Sequence, residues 1–262
     1  MALFFHELRR DRLKLIIWTG ALAFMLCVSV LIYPIIRPMM DEMTKSMEQM
    51  GDFAAAFNMG QGDFLEFGTY FAEECGSALG LGGMIFAALL GTAALAKEEH
   101  DRTAEFLLTH PVSRTYVVGQ KLAAVLTEVV LLNLGVSALS IAAGFAIGES
   151  FDAGRLILVL VGYLLMQIEI ACLMFGLSAF LRGNGVGIGI GLAFGFYLIN
   201  ILANIAEEVN FLRYITPFSY ADGLSIAASG TIELKYLLPG MALAVFGALA
   251  AFVKYRKKDI QS

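Results

Sequence analysis

The chain has 262 residues, of which 58% are hydrophobic and 16% are charged, and its net charge is −5. Ordinary globular domains contain about 25% charged residues, and the apolar excess here is grouped into long runs, which excludes a soluble globular fold. The cysteines, Cys27, Cys75 and Cys172, are widely separated and form no cluster with histidine, so the sequence predicts neither a disulfide framework nor a metal site.

Six apolar segments are long enough to cross the ~30 Å hydrocarbon core of a membrane, which takes about 20 residues. The predicted spans are 15–36, 77–96, 122–147, 156–181, 185–206 and 236–253. They predict an all-α polytopic membrane protein with a single transmembrane domain over residues 1–262. Pro239, near the start of the sixth segment, is expected to bend that helix or to mark its beginning.

Lys and Arg are distributed unevenly between the two sides of this topology. The side that holds both termini carries 13 of them, and the other side carries 5. Because cytoplasmic loops carry the excess of Lys and Arg, both termini and segment 97–114 are predicted to be cytoplasmic. Residues 4–14 mix aromatic and basic side chains, which predicts an amphipathic N-terminal helix at the membrane surface.

The outer connector 37–76 is too long for a plain loop. It begins with methionines at helical spacing, Met40, Met43, Met47 and Met50. This stripe predicts an amphipathic helix. The helix either contacts substrate or a second subunit, or lies flat on the outer leaflet. The aromatic residues that follow predict an interfacial belt. They are Phe53, Phe57, Phe64, Phe67, Tyr70 and Phe71.

Residues 97–114 form a longer connector than two neighbouring spans need. Charged residues come first, an apolar run at Phe106–Leu108 follows, and Pro111 ends the helix. This pattern predicts a short amphipathic helix at the membrane surface. The sequence of residues 98–114, EEHDRTAEFLLTHPVSR, resembles the cytoplasmic coupling helix of type-2 ABC exporter permeases.

The resemblance implies a six-span permease subunit whose coupling helix docks on a separate ABC ATPase. The residues implied to contact that ATPase are Glu98, Glu99, Arg102, Thr103, Glu105, Phe106, Leu107 and Pro111. It also implies a second permease copy or a paralogous permease, surrounding membrane lipids, short outer helices between spans five and six, and a bacterial plasma membrane. ATP and Mg would bind the ATPase and no cofactor would bind this chain, which has no GxxxxGK[ST] sequence. Nothing in the sequence indicates nucleic-acid binding.

Polar side chains inside the spans are candidates for a translocation path. Glu169 lies near the middle of the fourth span, where an ionised carboxylate costs at least ~2.5–3.5 kcal/mol. Gln167 and Asn133 lie at similar depth and could be its partners, whereas Asn200 lies nearer the outer end of its span. These groups either line a path or join helices by hydrogen bonds. Glu128 is expected to reach the cytoplasmic interface.

Four glycines recur at every fourth position on one face of the fifth span, namely Gly183, Gly187, Gly191 and Gly195. Small residues at this spacing let helices approach closely. The face is either a seam between two permease subunits or a packing surface within one subunit.

The predicted function is therefore an ATP-driven exporter of an amphipathic substrate, namely an antimicrobial peptide, a drug or a lipid. Antimicrobial peptide resistance would be one consequence. This chain itself is not expected to be an enzyme. Two alternatives remain open at this point. One is an intramembrane lipid-modifying enzyme that uses Glu169, and the other is a membrane sensor or scaffold that binds its partner through segment 97–114.

Overall fold

The computed structural model describes residues 2–39, 66–100, 113–149, 151–181, 185–205 and 207–257. All regular structure within these ranges is helical. The α-helices are α1 (Ala2–Ile36), α2 (Phe67–Cys75), α3 (Gly83–His100), α4 (Arg114–Ala146), α5 (Ala153–Ser178), α6 (Val186–Ile205), α7 (Gly223–Ser229) and α8 (Leu234–Lys257). A π-helical turn, Gly76–Gly82, joins α2 to α3, and 3-10 turns lie at Arg37–Met39 and Glu207–Tyr214.

Six helical stretches in the described ranges are long and apolar enough to cross a membrane. They confirm the predicted all-α fold with six candidate spans. Several helices begin before the apolar run does, because backbone hydrogen bonding continues where the side chains turn polar. α4 begins eight residues before Leu122, and the Ser113 hydroxyl caps it by accepting a hydrogen bond from the backbone N–H of Tyr116 at 3.2 Å.

The N-terminal segment is helical, as predicted, but it is not a separate element. α1 runs without a break from Ala2 to Ile36, so residues 4–14 continue directly into the first span. Neither glycine nor proline lies where residues 4–14 join the first span, and the helical hydrogen bonds therefore continue across the junction. Pro239 does not mark the beginning of the sixth span, because α8 begins five residues before it at Leu234.

The start of α1 and the end of α8 lie at the same end of the helix bundle, which we call the terminal end. Lys121, near the start of α4, contacts Glu7 of α1 at 3.0 Å. Arg114 donates hydrogen bonds of 3.4 Å to the carbonyl oxygens of Tyr255 and Arg256 in α8. The α3–α4 connection leaves from this end, and the connection between α6 and α8 lies at the other end, which we call the connector end.

Helix α5 is central in the bundle and packs against α3, α4 and α8. Small residues make these contacts close. A Cβ atom at Gly91 of α3 would lie 2.5 Å from the carbonyl oxygen of Ala171, and one at Gly176 would lie 2.5 Å from the carbonyl oxygen of Gly247 in α8. The backbones therefore meet directly, as small residues allow in membrane helices.

The aromatic residues at the start of the second span belong to the core. Phe67, Tyr70 and Phe71 are buried, and the rings of Phe67 and Tyr70 lie 5.2 and 5.0 Å from the ring of Tyr33 in α1. The expectation of an interfacial belt is therefore wrong for these three. The helix begins at Phe67 rather than at residue 77, so the aromatic side chains are carried on a packed helix instead of a surface loop. Residues 40–65, with the methionine stripe, lie outside the described ranges.

Candidate functional site

Glu169 lies fully buried on α5 and is held by a residue from the connector end. Its Oε2 atom accepts a hydrogen bond of 2.6 Å from the hydroxyl of Tyr220. Burial and the neighbouring Glu169 carboxylate raise the pKa of Tyr220 above its usual value, so the phenol stays protonated and remains the donor. The other carboxylate oxygen, Oε1, has no hydrogen-bond partner among the described residues.

Gly240 of α8 makes room for this pair. A Cβ atom at that position would overlap Oε2 of Glu169 and would lie 2.9 Å from the Tyr220 ring. Because Gly240 has no side chain, the Glu169 carboxylate of α5 can meet the Tyr220 phenol, which lies just before α7, beside the backbone of α8. The sequence did not indicate this arrangement, because Tyr220 is 51 positions away from Glu169.

The two buried amides pair with each other rather than with Glu169. Asn133 of α4 donates a hydrogen bond of 2.7 Å from Nδ2 to Oε1 of Gln167 on α5. Gln167 in turn donates from Nε2 to the carbonyl oxygen of Leu79, at 2.8 Å, in the π-helical turn. These bonds tie three helical stretches together inside the bundle. Oδ1 of Asn133 is buried without a hydrogen-bond partner in the described part of the chain.

Two adjoining cavities lie at the connector end, and we call them the connector cavities. Their volumes are about 420 and 290 Å³. They share lining residues, Asn200, Asn204, Phe218 and Asp222. Tyr220 lines the larger cavity, and Glu73, Tyr163 and Tyr197 line the smaller one. The buried Glu169–Tyr220 pair therefore adjoins a polar space that opens at one end of the bundle.

Asn200 lines both connector cavities, and its Oδ1 accepts a hydrogen bond of 3.2 Å from the Ser219 hydroxyl. Arg213 donates from Nη2 to Oδ1 of Asn204 at 3.1 Å. No cluster of His, Cys, Asp and Glu that could hold a metal ion occurs within the described ranges. The site therefore offers hydrogen bonds, charge and aromatic surface, which are means of recognition.

Comparison with known families decides the class of the protein. The family model described as ABC-2 family transporter protein matches residues 1–260, which is nearly the whole chain. The chain belongs to this family. No curated protein and no solved structure gives a significant match. As an ABC-2 family member it is a membrane component of an ABC transporter, and the six apolar helices agree with that role.

The coupling segment of this ABC-2 protein lies mostly outside the described ranges. Glu98 and Glu99 fall in the last turn of α3, which runs to His100. Chain positions beyond that helix, up to 112, are not described. The implied contact residues that fall there are Arg102, Thr103, Glu105, Phe106, Leu107 and Pro111. Their docking role stays a prediction.

Within the described part of this ABC-2 protein, the glycine face of α6 contacts no other helix. Cβ atoms at Gly187, Gly191 and Gly195 would meet nothing within 4 Å, whereas a side chain at Gly189 would overlap Thr92 of α3. The face of α6 that packs inward therefore contains Gly189, which lies two positions from Gly187 and two from Gly191. Gly187, Gly191 and Gly195 therefore make no close packing contact with the described residues, and Gly183 lies outside the described ranges.

The small-residue face that closes the bundle lies on α8 and was missed by sequence reasoning. Gly240, Ala244 and Gly247 follow helical spacing, and Ala244 is buried. A Cβ atom at Gly247 would lie 2.7 Å from the carbonyl oxygen of Cys172 on α5. The spacing was readable in the sequence.

Proposed function

We propose that this chain is the permease subunit of an ATP-driven exporter in a bacterial plasma membrane. It pairs with a second permease, identical or paralogous, and with separate ATPase subunits that bind ATP and Mg. ATP binding would close the ATPases and move segment 97–114. That movement would shift the packing of the spans and open a path outward.

The observation that carries this proposal is the polar tract inside an ABC-2 bundle. It includes the Asn133–Gln167 pair, the Glu169–Tyr220 pair and the connector cavities. A bundle that only anchors a partner needs no buried carboxylate next to a cavity, since burying charge is costly. Intramembrane polar groups that adjoin a cavity are typical of a transport path.

The charges around the connector cavities favour a cationic amphipathic substrate. Glu73, Asp222 and Glu233 line the cavities, and Arg213 is the one cation among the described residues that line them. The aromatic rings of Tyr163, Tyr197 and Phe218 supply apolar contact surface. A negative, partly aromatic cavity attracts cations with an apolar body. Antimicrobial peptides and amphipathic drugs have this character.

The predicted orientation and the resemblance of residues 98–114 to exporter coupling helices support outward transport. With the positive-inside rule applied, the terminal end and segment 97–114 face the cytoplasm, where an ATPase is available. The connector cavities then face outward.

The test is transport by the permease reconstituted with its ATPase in inside-out vesicles, using a fluorescent cationic amphiphile. Glu169→Gln keeps an oxygen that can accept from Tyr220 but removes the charge. We expect ATP-dependent uptake to fall about tenfold, since one lost charged interaction corresponds to roughly 1.5–3 kcal/mol, while the complex still assembles.

The matched control is Glu149→Gln, a carboxylate that pairs with Arg37 at 3.5 Å outside the tract. This variant should transport as the unmodified protein does. Normal uptake by Glu169→Gln would remove the tract from the path. Turnover of a lipid by the permease without ATPase would favour the enzyme alternative instead.

A further inference from the structure

A third cavity lies at the terminal end of the bundle, away from the polar tract. Its volume is about 120 Å³, close to the ~150 Å³ of an engineered apolar cavity that holds benzene. Much of its lining is apolar and comes from α1, α3 and α4, with Trp18, Phe86, Leu89, Leu90, Ala93 and Val125. The rings of Trp18 and Phe86 lie 5.9 Å apart.

The rest of the lining is charged, with Glu7, Asp11, Lys14, Lys121 and Glu128. The Lys121 ammonium is 1% exposed and donates hydrogen bonds of 3.0 Å to Oε1 of Glu7 and to the carbonyl oxygen of Ala94. Asp11 accepts from Lys14 at 2.8 Å, and Glu7 also pairs with Arg10. These two carboxylates and the buried lysine therefore have opposite charges beside them.

Glu128 is different. It is 3% exposed, and its Oε2 has no hydrogen-bond partner in the described part of the chain. The expectation that it reaches the membrane interface is therefore wrong, because α1 packs along α4 and covers it. A buried carboxyl group without a hydrogen-bond partner is costly. The cavity thus offers one carboxyl oxygen without a hydrogen-bond partner in the described part of the chain, beside an aromatic and aliphatic wall.

We propose that this cavity binds the ammonium group of a small amphipathic amine. The ammonium would pair with Glu128, and the apolar part would contact Trp18, Phe86 and Leu90. Aromatic faces also attract ammonium groups directly. A hydrated metal ion would gain nothing from the apolar wall. The inference rests on the proposed function in one respect, since it makes this cavity the loading site for a cationic amphipathic substrate.

Trp18 can serve as an intrinsic fluorescence probe, because it is the single tryptophan among 262 residues. The full-length permease is placed in phosphatidylcholine nanodiscs without ATPase and titrated with benzylammonium, while Trp18 emission is recorded. Benzyl alcohol is the uncharged control of nearly equal size. We expect a saturable change with benzylammonium and a weak, linear change with benzyl alcohol. Trp18→Phe should lose the signal.

Glu128→Gln should weaken benzylammonium binding at least tenfold, which corresponds to about 1.4 kcal/mol. Glu149→Gln, at the other end of the bundle, should bind as the unmodified chain does. Equal responses to the amine and the alcohol would overturn the proposal, as would unchanged affinity in Glu128→Gln.

A second variant keeps the test decisive if Glu128→Gln does not fold. Ala93→Leu narrows the cavity from its apolar side and leaves every charge in place, so it should abolish the saturable change. Retained binding in Ala93→Leu would contradict a site in this cavity. Failure of the exporter proposal is separate, because ATP-driven uptake can be absent while benzylammonium still binds. ATP-driven uptake without benzylammonium binding would overturn only the loading site.

Discussion

Single residues decide how charge is accommodated inside this bundle. Gly240 lacks a side chain at the one place where Glu169 and Tyr220 meet. Sequence alone identified Glu169, because a carboxylate in the middle of an apolar run stands out. It did not identify Tyr220 or Gly240, because contacts between residues far apart in the chain depend on how the connector folds back.

Gly240→Ala tests this close approach. The added methyl group would overlap the Glu169 carboxylate and press on the Tyr220 ring, and overpacking of this kind costs roughly 1–3 kcal/mol. We expect a lower midpoint of thermal unfolding in detergent. Gly20→Ala is the control, because a Cβ atom there meets nothing within 4 Å. If both variants unfold at the same temperature, the close approach has no energetic consequence.

Two predictions concern whole helices, α3 and α6. α3 begins in the core and ends at the terminal end with the residues that start the coupling segment. α6 packs on α3 through Gly189 and presents its other glycines to open space. The sequence predicted both helices from their apolar length. It could not tell which face of α6 is inward, because glycines occur on more than one face.

Charge reversal at the coupling segment should uncouple the permease from the ATPase, so that substrate no longer stimulates ATP turnover and transport is lost with it. In the reconstituted complex, Glu99→Lys or Glu105→Lys would place a cation where an anion is predicted to contact the ATPase. We expect substrate-stimulated ATPase activity and uptake to fall together, by about tenfold. Glu208→Lys is the matched reversal at the connector end and should leave both unchanged. Full activity in both coupling variants would show that these carboxylates do not transmit the movement.

The exposed glycine face of α6 should join two permease subunits. Gly191→Ile adds bulk that the single subunit has room for, so the fold and its unfolding temperature should be preserved. Close helix–helix contact across a small-residue seam would be lost. We expect fewer cross-linked permease dimers in nanodiscs. Gly20→Ile, on the open side of α1, is the control. Equal cross-linking in both variants would place the seam elsewhere.

At the scale of the whole molecule, composition and charge were enough for the fold class and the number of spans. The six helices lie where apolar runs predicted them. Their ends were less predictable, since helices continue beyond the hydrocarbon core, as α2 and α4 do. Asn133, Gln167 and Glu169 of the polar tract were predicted from the sequence. Tyr220 and the pairing were not, because amides and carboxylates can exchange partners without any change in sequence pattern.

Orientation can be measured with single cysteines in a chain whose native cysteines are replaced by serine or alanine. Thr115 near the start of α4 and Thr231 after α7 are both exposed, at the terminal and connector ends. A membrane-impermeant thiol reagent should label Thr231→Cys in intact cells. It should label Thr115→Cys only after the membrane is opened. The opposite pattern would reverse the predicted orientation and with it the outward direction of transport.

The π-helical turn Gly76–Gly82 has a consequence for chain length. A π turn contains one residue more than the α-helical turn that it replaces. Each residue rotates an α-helix by about 100°. Deleting one residue, such as Gly80, would let the turn become α-helical, and the phase between the two halves of the second span would change. The aromatic side chains of α2 would then lose contact with Tyr33, whereas Gln167 on α5 would not move. A single residue therefore sets the rotation of one half of the second span relative to the other.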